Sequence, residues 1–353
     1  MKLTSVRIIA HTKHPFRIAR PHGSVEGTEV RRIIVRLEHE GTVGFGEAAP
    51  VMYYGQSLES VETTLDRIQS EPELFGRDPF QIVPIIERLI LRFPDQRATV
   101  AAVDAALHDW IGRKLGVPVW RLLGLDATQT PPTSMTIGID APDLIARKVE
   151  QVAAFSALKV KVGTAQDEQT LSIIREAAPR KSLRLDANTA WTPENALQRI
   201  SDLARFEPEL IEQPLESRQY DALRQLHERS PVPVFADEDS VTAEDLPAVA
   251  GCVAGVNIKL AKCGGIREAL RMIYVARAFG LKVMLGCMVE TSLGIAAAAH
   301  IASLVDVVDL DGHLLLDDDP FDALLLQGDR VLPKDRPGLG ADPSGLFGEG
   351  DAT

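Results

Sequence analysis

Between residues 134 and 311 one unit repeats. Short apolar runs recur about every 20–27 residues, each followed by a stretch of helical periodicity. The runs are SMTIGI (134–139), ALKVKV (157–162), SLRLDA (182–187), ELIEQ (209–213), PVFADE (233–238), GVNIKL (255–260), KVMLGC (282–287) and VVDLD (307–311). Apolar runs this short, alternating with helices, are the pattern of buried parallel strands, and eight in succession predict an α/β fold with a closed β/α barrel. A chain of 353 residues accommodates such a barrel and a smaller second unit.

That unit is expected at residues 1–125. Residues 1–55 alternate as strands, and VRRIIVRLEHEGTVGFGEAAP reads as a hairpin turning near Glu40-Gly41. Residues 58–124 are helical in pattern. ATVAAVDAALHDWIGRKL predicts a long, Ala-rich amphipathic helix, stopped by Gly-Val-Pro before a short second helix. The barrel is placed at 126–320. Residues 321–353 contain FDALLLQGDR and RPGLG and read as a return segment, not a further β/α unit.

The strand runs are oddly charged. ALKVKV carries Lys159 and Lys161 on one face, because strand side chains alternate with period two. The next runs end in Asp186 and Asn188, Glu212 and Gln213, and Asp237 and Glu238; GVNIKL carries Lys259, and VVDLD carries Asp309 and Asp311. From Lys161 to Asp186, Glu212, Asp237 and Lys259 the steps are 25, 26, 25 and 22 residues. One charge per unit is thus expected at one height, at the C-terminal strand ends where barrels carry active sites. Three carboxylates converging there would repel one another, which a hard divalent cation relieves. Oxygen ligands without His or Cys favour Mg²⁺, with Mn²⁺ as a substitute, over zinc.

Lys161 and Lys259 then lie across the barrel mouth on opposite sides of that ion. Lysine near a cation can have a lowered pKa and serve as a base. The arrangement suits removal of a proton from the carbon next to a carboxylate, with the ion stabilising the ene-diolate that forms. A base on each face allows removal on one side and return on the other, which is epimerisation. Interior salt bridges alone are the competing account. They explain one Lys–Asp pair but not five charges in register, which are costly to bury without function.

The bulk properties exclude other classes. The formal net charge is −12 and the pI about 5.2, against nucleic-acid binding. The three cysteines, Cys252, Cys263 and Cys287, form no C-x-x-C pair, which suggests neither a disulfide framework nor zinc. With no apolar leader and no run of the roughly 20 apolar residues a membrane span requires, the expectation is a soluble cytoplasmic protein with a small-molecule substrate and no membrane partner.

KVKVG, LRLDANTAW, IEQP, FADED and NIKLAKCGG, in this order, resemble the enolase superfamily and within it the muconate-lactonizing-enzyme subgroup; GFGEAAP, AALHDWIGRKLGVPVWRLLG and PGLG extend the resemblance over nearly the whole chain. It implies a modified (β/α)₇β barrel with an N-terminal α+β capping domain completed by the C-terminal segment, commonly in homo-oligomers. It implies Asp186, Glu212 and Asp237 as Mg²⁺ ligands and Lys161 and Lys259 as the acid/base pair. Lys159 would neutralise the substrate carboxylate and lower the pKa of its neighbour, while Asn188 and Glu238 would support the ligands. FADED departs from the usual ADES and places an extra carboxylate, Asp239, close by.

Asp309 and Asp311 resemble the pair that binds the free α-ammonium group in dipeptide epimerases, and both are expected on one strand face. An ammonium offers three donors and wants anionic acceptors, whereas a dicarboxylate would be repelled. GCMVETSLG is also similar to the seventh-strand segment of those enzymes. The leading expectation is a dipeptide epimerase similar to the L-Ala-D/L-Glu epimerases, inverting the C-terminal residue. An N-acylamino-acid racemase, a cycloisomerase or an o-succinylbenzoate synthase is the alternative within the subgroup, and an inactive barrel serving as a binding module the alternative outside it. Specificity in the family comes from two cap loops. Here Arg17, Arg20 and His22 could hold an acidic side chain, or Tyr53 and Tyr54 could line an aromatic or aliphatic pocket. Thr136, Cys287 and Val289 are further candidates for the pocket wall.

Overall fold

The computed structural model describes residues 1–20 and 23–347. The chain opens with a three-stranded antiparallel meander: β1 (Lys2–Arg20), β2 (Gly23–His39) and β3 (Thr42–Ala48). Glu40 and Gly41 join the last two with φ of 48° and 71°, the doubly left-handed turn that matches strand twist in tight hairpins.

The helix Arg97–Leu115 lies across this sheet. The expected amphipathic pattern is absent, because every residue from Ala98 to Gly112 is buried. One side packs on β3 and another on the short helix Leu260–Cys263 of the barrel, and its many alanines allow both approaches. The core between sheet and helices includes Ile33, Leu37, Ile86, Leu89, Leu107 and Trp110.

Eight parallel strands follow: β4 (Ser134–Ile137), β5 (Ala157–Lys161), β6 (Ser182–Asp186), β7 (Pro208–Glu212), β8 (Val234–Ala236), β9 (Gly255–Lys259), β10 (Lys282–Gly286) and β11 (Val307–Asp309). They pair in sequence order, and a bridge between Thr133 and Val308 closes the ring. Each apolar run of the sequence marks one strand, but the ladders stop one or two residues earlier than the runs. Asp237, Glu238 and Asp311 therefore stand on loops above the strands, and Asp311 does not share a strand face with Asp309. Asp237 N donates to Gln213 Oε1 instead of a ladder carbonyl, and Asp311 Oδ2 accepts from Thr136 N.

The charges do not sit at one hydrogen-bonded height either. Lys161, Asp186 and Glu212 are level, but Glu212 pairs with Phe235, not Asp237. Following the pairings on, Lys259 comes four residues above that level, and Asp309 returns beside Ser134 four residues below it. This is the stagger of a tilted eight-stranded barrel. The interior is layered: Leu210, Phe235, Met284 and Val307 form an apolar floor, with the charged residues above it.

The C-terminal segment first forms a hairpin, β12 (Leu324–Gln327) and β13 (Arg330–Pro333). Its turn residue Asp329 accepts from Ser156 N, and its carbonyl accepts from Thr133 N, at the N-terminal ends of β4 and β5. The chain then runs to Gly338, where a Cβ would sit 2.0 Å from Asp109 Oδ1 and φ is 72°, so glycine is required twice over. Asp109, fully buried, accepts from Phe45 N (2.8 Å), Leu339 N (2.6 Å) and Arg113 Nε (2.9 Å), tying sheet, helix and C-terminal segment to one carboxylate.

Candidate active site

A cavity of about 390 Å³ lies between the C-terminal mouth of the barrel and the sheet. Lys159, Lys161, Asp237 and Lys259 line it below, Thr136, Asp309 and Asp311 to one side, and Glu29, Val30, Val51 and Tyr54 above.

The strand alternation places Lys159 and Lys161 on the inner face of β5, as expected, but in different surroundings. Lys159 Nζ lies 2.7 Å from Glu212 Oε2, 2.9 Å from Asp309 Oδ2 and 3.1 Å from Asp186 Oδ2. Burial opposes its charge, but Asp309, Glu212 and Asp186 outweigh that and hold its pKa well above the usual lysine value. Lys161, nearer the strand end, donates to Asp186 Oδ2 (2.6 Å) and Asn188 Oδ1 (3.1 Å). Across the cavity Lys259 Nζ lies 2.6 Å from Asp237 Oδ2.

The three carboxylates expected to converge are each buried and matched to ammonium groups. Burial would raise Asp186, but Lys161, Lys159 and Lys259 hold it below the carboxylate range. Asp237 is likewise lowered against its burial by Lys259 and Lys262. Glu212, between them, is pushed up to about 7 by burial and by Asp186, with Lys159 opposing. Among the described residues no three acidic, His or Cys side chains stand ready as a cation cage. The lysine ammonium groups lie against the carboxylates and supply the compensating charge. The donor set nevertheless fits a hard divalent cation: three buried carboxylates, oxygen only, at the C-terminal ends of three adjacent strands, with one held up by burial and its like-charged neighbours.

Supporting contacts fix these groups. Asn257 Nδ2 donates to Glu212 Oε1 (2.7 Å), and the side chain has room only because residue 286 is glycine: a Cβ there would lie 2.6 Å from Asn257 Oδ1. Gln213 Oε1 accepts from Asp237 N (2.9 Å), while its amide donates to Leu215 O and Asp239 Oδ2. Asp239 faces away from the cavity and also accepts from Arg218 N (2.6 Å), so the extra carboxylate of FADED braces the loop after β7. Asn188, at φ 44°, turns its N–H onto Asp186 Oδ1 (3.0 Å), and Glu238 lines the cavity.

Lys262 is a further member of the network that the strand pattern does not point to. Fully buried, it donates to Asp237 Oδ1 (2.7 Å), Asp237 O (2.6 Å) and Asn257 O (2.8 Å), locking Asp237 from behind. The signal was its spacing: in KLAK it lies one helical turn after Lys259.

Asp309 accepts from Ser134 Oγ (2.6 Å) besides Lys159, whereas Asp311 accepts from Thr136 N (2.6 Å). Burial and Asp309 raise Asp311 to about 6. The pair therefore divides: Asp309 is bonded into the lysine network, and Asp311 presents carboxylate to the cavity.

Of the candidates for specificity, Thr136, Tyr54, Cys287 and Val289 line the cavity. Tyr53 does not; its hydroxyl lies 3.0 Å from Ser217 Oγ, beyond β7. Arg17 lies outside it, along a side groove that also reaches Lys161 and Thr164. His22 and the side chain of Arg20 lie outside the described residues.

A barrel with buried carboxylates at the ends of three adjacent strands and lysines facing each other over them defines a metal-assisted acid/base enzyme. Residues 3–124 match the family model for the mandelate racemase / muconate lactonizing enzyme N-terminal domain, and residues 144–345 the enolase C-terminal domain-like model. The chain belongs to this family, and it is an isomerase of the racemase and epimerase type. It is 42% identical over 302 residues to an L-Ala-D/L-amino acid epimerase of Pedosphaera parvula (84% of this chain, 86% of that one). It is 38% identical over 342 residues to an L-Ala-D/L-Glu epimerase of Bacteroides thetaiotaomicron (96% and 87%). A dipeptide epimerase from Enterococcus faecalis, solved with Mg and the dipeptide L-Leu-L-Tyr, superposes with a TM-score of 0.88 at 34% identity, covering 96% of this chain and 98% of that one.

Proposed function

We propose that the protein is a Mg²⁺-dependent dipeptide epimerase that inverts the α-carbon of the C-terminal residue by two-base proton exchange. One observation carries the reading: Lys161, Lys259 and Asp311 line a single cavity, so both faces of an α-carbon and an adjacent ammonium can be served together.

Asp186, Glu212 and Asp237 would hold the ion, with Mn²⁺ an acceptable substitute by the same ligand preference. Bound there, it would supply positive charge beside the substrate carboxylate, where negative charge builds as the α-proton leaves. Lys161 takes the α-proton on one face and Lys259 returns one on the other; in the opposite direction the roles exchange. Each must release its carboxylate to do so, Lys161 from Asp186 and Lys259 from Asp237. Lys159 stays charged, holds Glu212 and Asp309 together, and adds to the positive field under the substrate carboxylate. Asn188 and Glu238 flank these groups.

Asp311, aided by Asp309, accepts the substrate's free ammonium, with Thr136 N–H holding Asp311 in place. This favours a free dipeptide over an N-acylated amino acid or a dicarboxylate. Tyr54, Cys287 and Val289 form the wall that meets the side chains. The three unpaired cysteines support a reducing compartment, the cytoplasm, and assembly into homo-oligomers follows the habit of the family.

A panel of L,L-dipeptides in D₂O with Mg²⁺ tests the reading. Deuterium should enter only at the C-terminal residue's α-carbon, with D-epimer formed alongside. Absence of exchange from every dipeptide would refute it.

A further inference from the structure

The wall formed by Cys287, Met288 and Val289 follows β10 and has little regular structure of its own. It is held by the neighbouring domain. Arg32, on β2, has a side chain only 12% exposed. Its Nε donates to Val289 O at 3.0 Å, Nη2 donates to the same carbonyl, and Nη1 donates to Arg31 O at 2.7 Å. Glu47, on β3 and 3.7 Å from Arg32 Nε, accepts from Thr291 N (3.1 Å), Thr291 Oγ1 and Gly294 N (3.2 Å). It thereby caps the helix Ser292–Ala299 from outside the barrel. Glu290 turns back to accept from Met288 N (2.9 Å). The fit is tight: a Cβ on Gly294 would lie 2.6 Å from Glu290 Oε2.

Arg32 also borders the cavity, so direct contact with an anionic substrate group has to be weighed. Three of its five N–H groups, one from each nitrogen, serve backbone carbonyls, so the guanidinium is oriented by the wall it holds. We infer that Arg32 is a positioning residue for substrate selectivity: through Val289 O and Glu47 it sets the wall that the dipeptide side chains meet. It takes no part in proton transfer. This rests on the reading of the cavity as a dipeptide site.

The test compares the full-length wild type with Arg32→Met, Arg32→Lys and Glu47→Gln, measuring kcat and KM for dipeptides with small, large apolar and acidic C-terminal side chains. Thermal melting establishes that each variant is folded. Arg32→Met should raise KM at least tenfold for the preferred dipeptides and compress the spread of kcat/KM across the panel, with kcat changed less than about threefold. Arg32→Lys, able to reach one carbonyl, should recover part of KM; Glu47→Gln, should Arg32→Met not fold, should shift selectivity in the same direction. Unchanged KM and selectivity in folded variants, or an equal loss of kcat for every dipeptide, would overturn the inference. So would a loss confined to acidic side chains, which would assign Arg32 to the substrate itself. An inactive wild type would refute the epimerase reading as well, whereas an active wild type with insensitive variants refutes only the role of Arg32.

Discussion

Lys159 Nζ lies 2.9 Å from Asp309 Oδ2, and the same nitrogen is 2.7 Å from Glu212 Oε2. One ammonium thus joins the side of the cavity proposed to hold the ion to the side proposed to hold the substrate's amino group. The barrel stagger makes this possible: Asp309 returns to the ring beside Ser134, below the level of Lys159, and a lysine stem spans the gap.

Replacing Lys159 by Met leaves three buried carboxylates without their shared cation. Losing one member of such a buried network costs about 3–5 kcal/mol. The variant is expected to lose at least about 100-fold in kcat/KM and to bind Mg²⁺ less selectively over protons, because Glu212 and Asp309 become harder to ionise. Activity assays and calorimetric Mg²⁺ titration at two pH values check both effects.

Asp311→Asn should act on substrate binding. A charge-assisted hydrogen bond contributes about 1.5–3 kcal/mol, so KM for free dipeptides should rise about 10–100-fold. Asp309→Asn should lower kcat as well, because Asp309 also holds Lys159. Steady-state kinetics of the two variants separate these roles; identical effects would mean that the pair acts as one unit.

The depth at which this site could be read in the sequence followed the physics of each contact. Lys161, Asp186, Glu212 and Lys259 were legible because strand alternation and a regular repeat both pointed at them. The end of each ladder was not. Asp237 and Asp311 read as strand residues because the apolar runs continue into them, whereas Asp237 N turns to Gln213 Oε1 and the Asp311 carboxylate to Thr136 N. Tyr53 and Tyr54 were indistinguishable as adjacent aromatics, and only the turn at Met52–Tyr54 sends one into the cavity and the other to Ser217. The clamp of Arg32 on Val289 joins residues 257 positions apart and leaves no local pattern.

His300 provides a pH test of the fold. It is buried, and its Nδ1 accepts from Trp120 N at 3.1 Å, which requires the neutral ring. Burial lowers its pKa from 6.5 to about 3. The unfolded chain therefore binds a proton here that the folded chain does not, in the window between pH 6.5 and 3. Stability from this site is full above pH 6.5 and falls as pH drops, by up to about 1.4 kcal/mol per pH unit. His300→Gln keeps an acceptor and cannot titrate, so urea unfolding of the variant should show a shallower loss between pH 6.5 and 4.5. An equal slope would contradict the assignment.

In the proposed reaction two lysines, one on each face, exchange the α-proton. Its most direct measurement is α-deuterium incorporation and epimer formation by wild type, Lys161→Ala and Lys259→Ala in D₂O with Mg²⁺, starting from the L,L- and the L,D-dipeptide. Removing either base should abolish epimer formation, with a loss of at least about 10²–10⁴-fold. Each variant should retain exchange from only one epimer, and opposite epimers for the two variants. Epimerisation at a wild-type rate by either variant, or exchange of the same epimer by both, would contradict the two-base account.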